Sequence, residues 1–161
     1  MKDIRKVLTI AGSDPSGGAG IQADIKTITA HKMYAMNIST ALTVQNTTGI
    51  RDTFVIPPDF IAAQLDAIYD DIRPDAVKIG MVANDAIVHT IADKLREKKA
   101  KNIVLDPVIA STSGCDLITS DTLFAMVDEL LPLADIVTPN LPEAAAITGV
   151  AITDEDSMLK A

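Results

Sequence analysis

At 161 residues, 48% hydrophobic and 22% charged, the chain has a globular composition, which excludes a disordered or collagen-like polymer. Its net charge of −8, from 22 acidic against 14 basic residues, argues against a nucleic-acid or membrane-surface partner, since both require clustered Lys and Arg. No apolar run reaches the ~20 residues that span a bilayer, the N-terminus has no signal-peptide core, and the single cysteine, Cys115, permits no internal disulfide, so the expectation is a cytoplasmic protein of one domain, 1–161.

In chain order, the apolar run 7–11 predicts a buried strand that stops at Gly12. Residues 12–20 hold four glycines and a proline and form a loop. Ile21, Ile25 and Ile28 share one face of a helix over 21–32. A β-branched strand follows over 38–44, then a helix from Pro58-Asp59 to about Tyr69. A short strand at 76–79 ends at Gly80. The next helix, 84–97, spaces Ile87, Ile91 and Leu95 four apart. A strand at 102–105 ends at Asp106-Pro107, a helix covers 120–131, a strand covers 136–138, and Pro142 begins a short helix stopped by Gly149. Thr153-Asp154-Glu155-Asp156 has the cap and acidic first turn of another helix start, yet the sequence ends at Ala161, so the domain is expected to be incomplete at its C-terminus.

Helices alternating with short apolar strands predict an α/β fold, a three-layer sandwich on a mostly parallel central sheet. In such sheets ligands bind beyond the carboxyl ends of the strands. Five strand ends here carry glycine or polar residues: Gly12-Ser13-Asp14, Gln45-Asn46, Gly80-Met81, Asp106-Pro107 and Pro139-Asn140. A substrate cleft is expected along that edge.

Local chemistry leaves alternatives at each position. The glycine segment either cradles a phosphate on backbone N–H groups at a helix N-terminus or serves turn geometry alone. It is not a Walker A loop, because no Gly-Lys-Ser/Thr follows. Asp24 either binds a ligand amino group or favours the helix dipole, and its position by itself weighs toward the dipole. Gln45 is either a site amide or a loop amide. Asp106, at the end of a buried strand, suits Mg²⁺ that keeps several waters and bridges to substrate phosphates. Asn140 and Glu143 either reach a ligand or cap the following helix. Lys26, His31 and His89 read as surface residues, and Cys115 has no neighbouring base to activate it.

The run Ala11-Gly12-Ser13-Asp14-Pro15-Ser16-Gly17-Gly18-Ala19-Gly20-Ile21-Gln22-Ala23-Asp24-Ile25-Lys26-Thr27 closely resembles the N-terminal signature of the bifunctional hydroxymethylpyrimidine/phosphomethylpyrimidine kinases of thiamine biosynthesis, members of the ribokinase-like superfamily. Further matches follow in order at Thr43-Val44-Gln45-Asn46-Thr47, Lys78-Ile79-Gly80-Met81, Leu105-Asp106-Pro107-Val108 and Thr138-Pro139-Asn140-Leu141-Pro142-Glu143-Ala144. The last two blocks are shared with pyridoxal kinases.

The resemblance implies transfer of the γ-phosphoryl group of ATP, with Mg²⁺, to the hydroxymethyl group of an aminopyrimidine and then to its monophosphate. It places Gly12, Ala19, Asp24, Gln45 and Met81 in the pyrimidine pocket. Asp106 and Glu143 fall around Mg²⁺, and Asn140 and Glu143 near the ATP phosphates. It also implies a homodimer. The Gly-Thr-Gly-Cys motif that forms the family's anion hole has no match here, and Cys115 does not supply it, so no catalytic residue is assigned and these 161 residues alone are expected to lack most of the activity. The competing expectations are a pyridoxal or other vitamin kinase of the same superfamily, and a non-catalytic pyrimidine-binding module.

Overall fold

A computed structural model describes residues 4–109 and 118–161. Lys6–Ala11 forms β1, Gly20–Ala30 α1, Tyr34–Ser39 β2, Ala41–Asn46 β3, Gly49–Val55 β4 and Pro58–Asp71 α2. Then come β5 (Ala76–Ile79), α3 (Asp85–Glu97), β6 (Ile103–Leu105), α4 (Ser120–Ala125), β7 (Ile136–Val137), α5 (Leu141–Thr148) and α6 (Glu155–Met158). Five strands make one sheet in the order β2-β1-β5-β6-β7, and every pairing in it is parallel. The parallel α/β architecture expected from alternating helices and strands is therefore present.

Strand alternation sorts side chains into two layers. Leu8 and Ile10 of β1, Val77 and Ile79 of β5, and Ile103 and Leu105 of β6 are buried against Ile61 and Leu65 of α2 and Ile87, Ile91 and Leu95 of α3. Thr9, on the opposite face of β1, meets α1, whose Ile21 and Ile28 are buried. Helix α1 thus lies on one face of the sheet and α2 and α3 on the other. The chain winds from β1 outward to β2, then returns to build β5, β6 and β7 on the other side of β1. That reversal between β1 and β5 is a topological switch point, where the strand ends part and leave a crevice.

Two departures from the predicted elements matter for the site. The expected strand over 38–44 is two strands. The Thr40 N–H donates to Ala11 O at 2.9 Å as the last rung along β1, and its buried hydroxyl donates to Met81 O at 2.7 Å. Its carbonyl accepts from Ile56 N at 3.0 Å. Thr40 is therefore a junction at which the chain leaves the sheet. Beyond it, β3 pairs antiparallel with β4, a strand absent from the predicted elements, with Leu42 opposite Phe54 and Thr43 opposite Thr53. Asn46 Oδ1 closes the intervening turn by accepting from Thr48 N at 2.9 Å and Thr48 Oγ1 at 2.6 Å.

The second departure is the expected helix over 120–131. It is α-helical only to Ala125, continues as a widened π-type turn over Met126–Leu130, and tightens to a 3₁₀ turn over Leu131–Leu133. Pro132 accounts for this, because its ring would clash with the carbonyl four residues back and it offers no N–H to continue the ladder. Other predicted ends hold. Asn84 caps α3 by accepting from Ile87 N at 2.9 Å, and Gly149 ends α5 in the left-handed region at φ 73°. The C-terminal start at Asp154 is a capping box that opens the four-residue α6.

Candidate active site

A cavity of about 320 Å³ opens at the switch point, a size suited to a single heterocyclic ring and its substituents. Gly12 and Ser13 enter it from the end of β1, Ala19, Gly20, Ala23 and Asp24 from the start of α1, and Thr43, Gln45 and Ile50 from the hairpin. Lys78 and Met81 come from β5 and its end, and Asp106 from the end of β6. Six of the candidate residues, Gly12, Ala19, Asp24, Gln45, Met81 and Asp106, thus line one space.

The glycine segment is not an open phosphate cradle, which corrects one of its two sequence readings. Asp14, only 2% exposed, fills it with its own carboxylate. Its Oδ1 accepts from Ser16 N at 2.8 Å and Ser16 Oγ at 2.7 Å, and its Oδ2 accepts from Gly18 N at 2.9 Å and Ala19 N at 2.8 Å. The remaining donors are taken as well: Ser13 N by Ala41 O, Asp14 N by Gln22 Oε1 and Gly17 N by Asp14 O. Every N–H from Ser13 to Ala19 has an internal acceptor, Pro15 having none to give. Burial alone would push the Asp14 carboxyl up, but the Ser16 hydroxyl and the N–H groups of Ser16, Ala19 and Gly18 together hold it below the ordinary value of 3.8.

The tight fold of this loop requires glycine at one point above all. Gly20 has φ +55°, and a Cβ there would stand 2.3 Å from the Gly12 carbonyl oxygen. Gly12 meets a different constraint: a Cβ there would lie 3.3 Å from Met81 Sδ. The Met81 thioether therefore packs over bare backbone and makes an apolar wall.

Asp24 faces the sheet, so the dipole alternative does not describe its surroundings. Its Oδ2 accepts from Thr9 Oγ1 at 2.6 Å and from Lys78 Nζ at 3.3 Å. Lys78 Nζ also stands 3.3 Å from Asp106 Oδ2. On the hairpin, Thr43 Oγ1 donates to Ser13 O at 2.7 Å and lies 3.1 Å from Gln45 Oε1. Because that hydroxyl has one proton, the shorter contact takes it, and the Gln45 amide retains hydrogen-bonding capacity toward the cavity. A register shift between Val44 and Gln45 re-aims this end of β3.

Asn140 and Glu143 do not line the cavity. They form the capping box of α5: Asn140 Oδ1 accepts from Glu143 N, and Glu143 Oε2 accepts from Asn140 N, both at 2.9 Å. They stand after β7, which pairs with β6, so they share a sheet edge with Asp106. His31 is exposed, and His89 Nδ1 lies 2.9 Å from Glu129 Oε1 on the surface. Lys26, also on the surface, donates to Gly17 O at 2.7 Å. Cys115 lies outside the described residues.

Sequence reasoning assigned no role to Lys78, Asp14, Thr9 or Thr43. A usable signal existed for Lys78: a charged residue at the alternate position of the apolar strand Ala76-Val77-Lys78-Ile79 requires partners on the face opposite Val77 and Ile79. Among the described residues no three His, Cys, Asp or Glu side chains gather around one point, so there is no dedicated metal cage there. Asp106, its side chain 35% exposed at the cavity, fits the lesser requirement of Mg²⁺, which uses one or two carboxylates beside its own waters and substrate phosphates.

Among the described residues no helix is long and apolar enough to cross a membrane. Comparison with known proteins places the chain in a family. The phosphomethylpyrimidine kinase family profile matches residues 14–161. The hydroxymethylpyrimidine/phosphomethylpyrimidine kinase of Haemophilus influenzae is 45% identical over 161 residues, all of this chain and 60% of that protein. Its Escherichia coli counterpart is 49% identical over 140 residues, 87% of this chain and 53% of that protein. This chain therefore spans little more than half the length of these curated relatives. The crystal structure of phosphomethylpyrimidine kinase from Clostridium difficile superposes with a TM-score of 0.92 at 45% identity, covering 97% of this chain and 68% of that one. A Staphylococcus aureus pyridoxal kinase solved with AMP-PCP and pyridoxal superposes with a TM-score of 0.84 at 36% identity, covering 98% of this chain and 56% of that one. On sequence and on fold alike, the chain belongs to the phosphomethylpyrimidine kinase family.

Proposed function

We propose that this chain supplies the acceptor-binding part of an ATP-dependent kinase for 4-amino-5-hydroxymethyl-2-methylpyrimidine and its monophosphate, in thiamine biosynthesis. One observation carries the reading. Residues from β1, α1, the hairpin, β5 and β6 that are far apart in sequence line one ring-sized cavity at the switch point. Relatives that share 45% and 49% identity with the chain bear the name of this activity.

In this reading Asp24 accepts a hydrogen bond from the ring amino group, Gln45 pairs with a ring nitrogen or the amino group, and Met81 packs on the ring face. Gly12 and Ala19 keep the walls close. Asp106 holds the Mg²⁺ that accompanies ATP, with Glu143 and Asn140 nearer the triphosphate. Mg²⁺ held there would supply charge neutralisation at the phosphates. The hydroxymethyl group would point from the pyrimidine pocket toward Asp106, across the space that Lys78 borders. The homodimer and the cytoplasmic location belong to the same proposal. The outward face of the hairpin, where Leu42, Val44 and Phe54 are exposed, supports the dimer, and sedimentation equilibrium tests it.

The experiment is calorimetric titration of the chain with the aminopyrimidine, alongside ADP release with Mg·ATP. Saturable binding that competes poorly with pyridoxal supports the reading. Preference for pyridoxal transfers the chain to the vitamin-kinase alternative, which the superposition on pyridoxal kinases favours as the second reading. ADP release that disappears in Asp106→Ala would show that these residues suffice for turnover. Binding without turnover assigns them the acceptor side alone.

A further inference from the structure

Lys78 has no role in the reading so far, yet its ammonium occupies the centre of the site. Alternation along β5 sends Val77 and Ile79 into the core and Lys78 to the opposite face, where α1 lies. There Nζ stands 3.3 Å from Asp24 Oδ2 and 3.3 Å from Asp106 Oδ2. The three side chains are 26%, 20% and 35% exposed, so each is partly withdrawn from water and none is loose on the surface. One cation thus joins a carboxylate on α1 to a carboxylate at the end of β6.

The distribution of bonds at Asp24 is uneven. Thr9 Oγ1 and Lys78 Nζ both donate to the same oxygen, Oδ2. Among the described residues Oδ1 has no donor. A carboxylate held along one edge by two protein donors keeps a fixed orientation and leaves its other oxygen for a ligand. Gly80 leaves room for the ammonium. A Cβ at that position would lie 2.7 Å from Lys78 Nζ and 3.2 Å from Ala11 Cβ, so the ammonium rests in the notch that a missing side chain leaves.

We infer that Lys78 is a positioning residue of the acceptor pocket: it holds Asp24 with Oδ1 available to the substrate amino group, and through the same ammonium ties that carboxylate to Asp106 on the phosphate side. The inference rests on the kinase reading and deepens it. It requires Lys78 to act on affinity for the pyrimidine without touching the ring. Pre-set geometry of this kind lowers the ordering cost of binding.

The test measures the dissociation constant of the aminopyrimidine by calorimetry for wild type, Lys78→Met, Lys78→Arg and Gly80→Ala, with the thermal midpoint of each as a control for folding. Lys78→Met is expected to weaken binding about tenfold or more, the scale of a hydrogen bond to a charged group. Lys78→Arg should restore part of it. Gly80→Ala should weaken binding in the same direction although it removes no charge, because its methyl displaces the ammonium. A lysine that merely stabilises the fold would lower the midpoint of Lys78→Met and leave the dissociation constant alone, and that result overturns the inference while the kinase reading stands. Should Lys78→Met not fold, Gly80→Ala decides, and unchanged affinity there overturns the inference. A wild-type chain that does not bind the pyrimidine overturns the kinase reading, and the inference falls with it.

Discussion

The Asp14 loop and the Asp24–Lys78–Asp106 cluster are neighbours that treat their carboxylates in opposite ways. Asp14 is buried, and four donors satisfy its two oxygens. Nothing is left over, so the residue holds the loop and does no chemistry. Asp24 and Asp106 are more open and share a single ammonium. Capacity to bond remains there, and a ligand can take it up. Composition does not separate the two cases, since all three residues are aspartates lining the same cavity. The count of donors per oxygen does.

The largest test of that contrast is Asp14→Ala. It removes four hydrogen bonds from a loop whose Ser16, Gly18 and Ala19 are exposed, so water reaches the freed donors, and it is expected to cost about 2 kcal/mol of stability in urea unfolding, at roughly 0.5 kcal/mol or more for each bond lost. A loss well under 1 kcal/mol would mean that the loop does not depend on this carboxylate. Asp24→Asn should do the reverse: pyrimidine affinity drops about tenfold while stability changes by less than about 1 kcal/mol, because the amide keeps one oxygen for Thr9 and loses the charge that faces the ligand and Lys78. Equal stability losses in the two variants would erase the distinction.

Asn140→Ala sharpens the boundary of the site. Loss of the α5 cap is expected to cost about 1 kcal/mol, with pyrimidine affinity unchanged, since Asn140 does not line the cavity. Weakened pyrimidine binding in this variant would extend the acceptor site to α5.

The smallest expected effect is a slope in acid. The folded Asp14 carboxyl lies below its ordinary value of 3.8. Its contribution is therefore complete above that value and is lost as the pH falls through the lower, folded value. Urea midpoints followed downward from mildly acidic pH should fall more steeply for wild type than for Asp14→Asn, by at most one proton's worth of slope. Parallel curves would show that Asp14 titrates normally.

Much of this organisation was legible in the residues. The alternation of apolar runs with helical spacing indicated the parallel α/β core, and Asn84 and Gly149 marked helix ends through chemistry local to the backbone. Asp106 stood out because a carboxylate closing a buried strand has few structural reasons to be there. The hairpin was not legible. Thr40 is β-branched and suits a strand, and no Gly or Pro stands beside it, so nothing local marks the point where the chain leaves the sheet, and β4 is largely exposed and shows no apolar run. The local spacing around Asp24 weighed toward the helix dipole, and only its contact with Thr9, fifteen residues away, settles which way it faces.

By itself, the sequence determined the order of elements in the parallel core, the buried face of α3, and which polar residues follow the strands of that core. Hydrophobic periodicity and capping act over a few residues and can be read along the chain. Only the tertiary structure decided which of those polar groups are already satisfied. Asp14 turned inward and closed its loop, Lys78 came to stand between two aspartates, and Asn140 and Glu143 paired with each other outside the cavity. Hydrogen bonds and ion pairs form between atoms a few ångströms apart, and the partners of Asp24, at positions 9 and 78, meet only when the sheet and its covering helix are assembled.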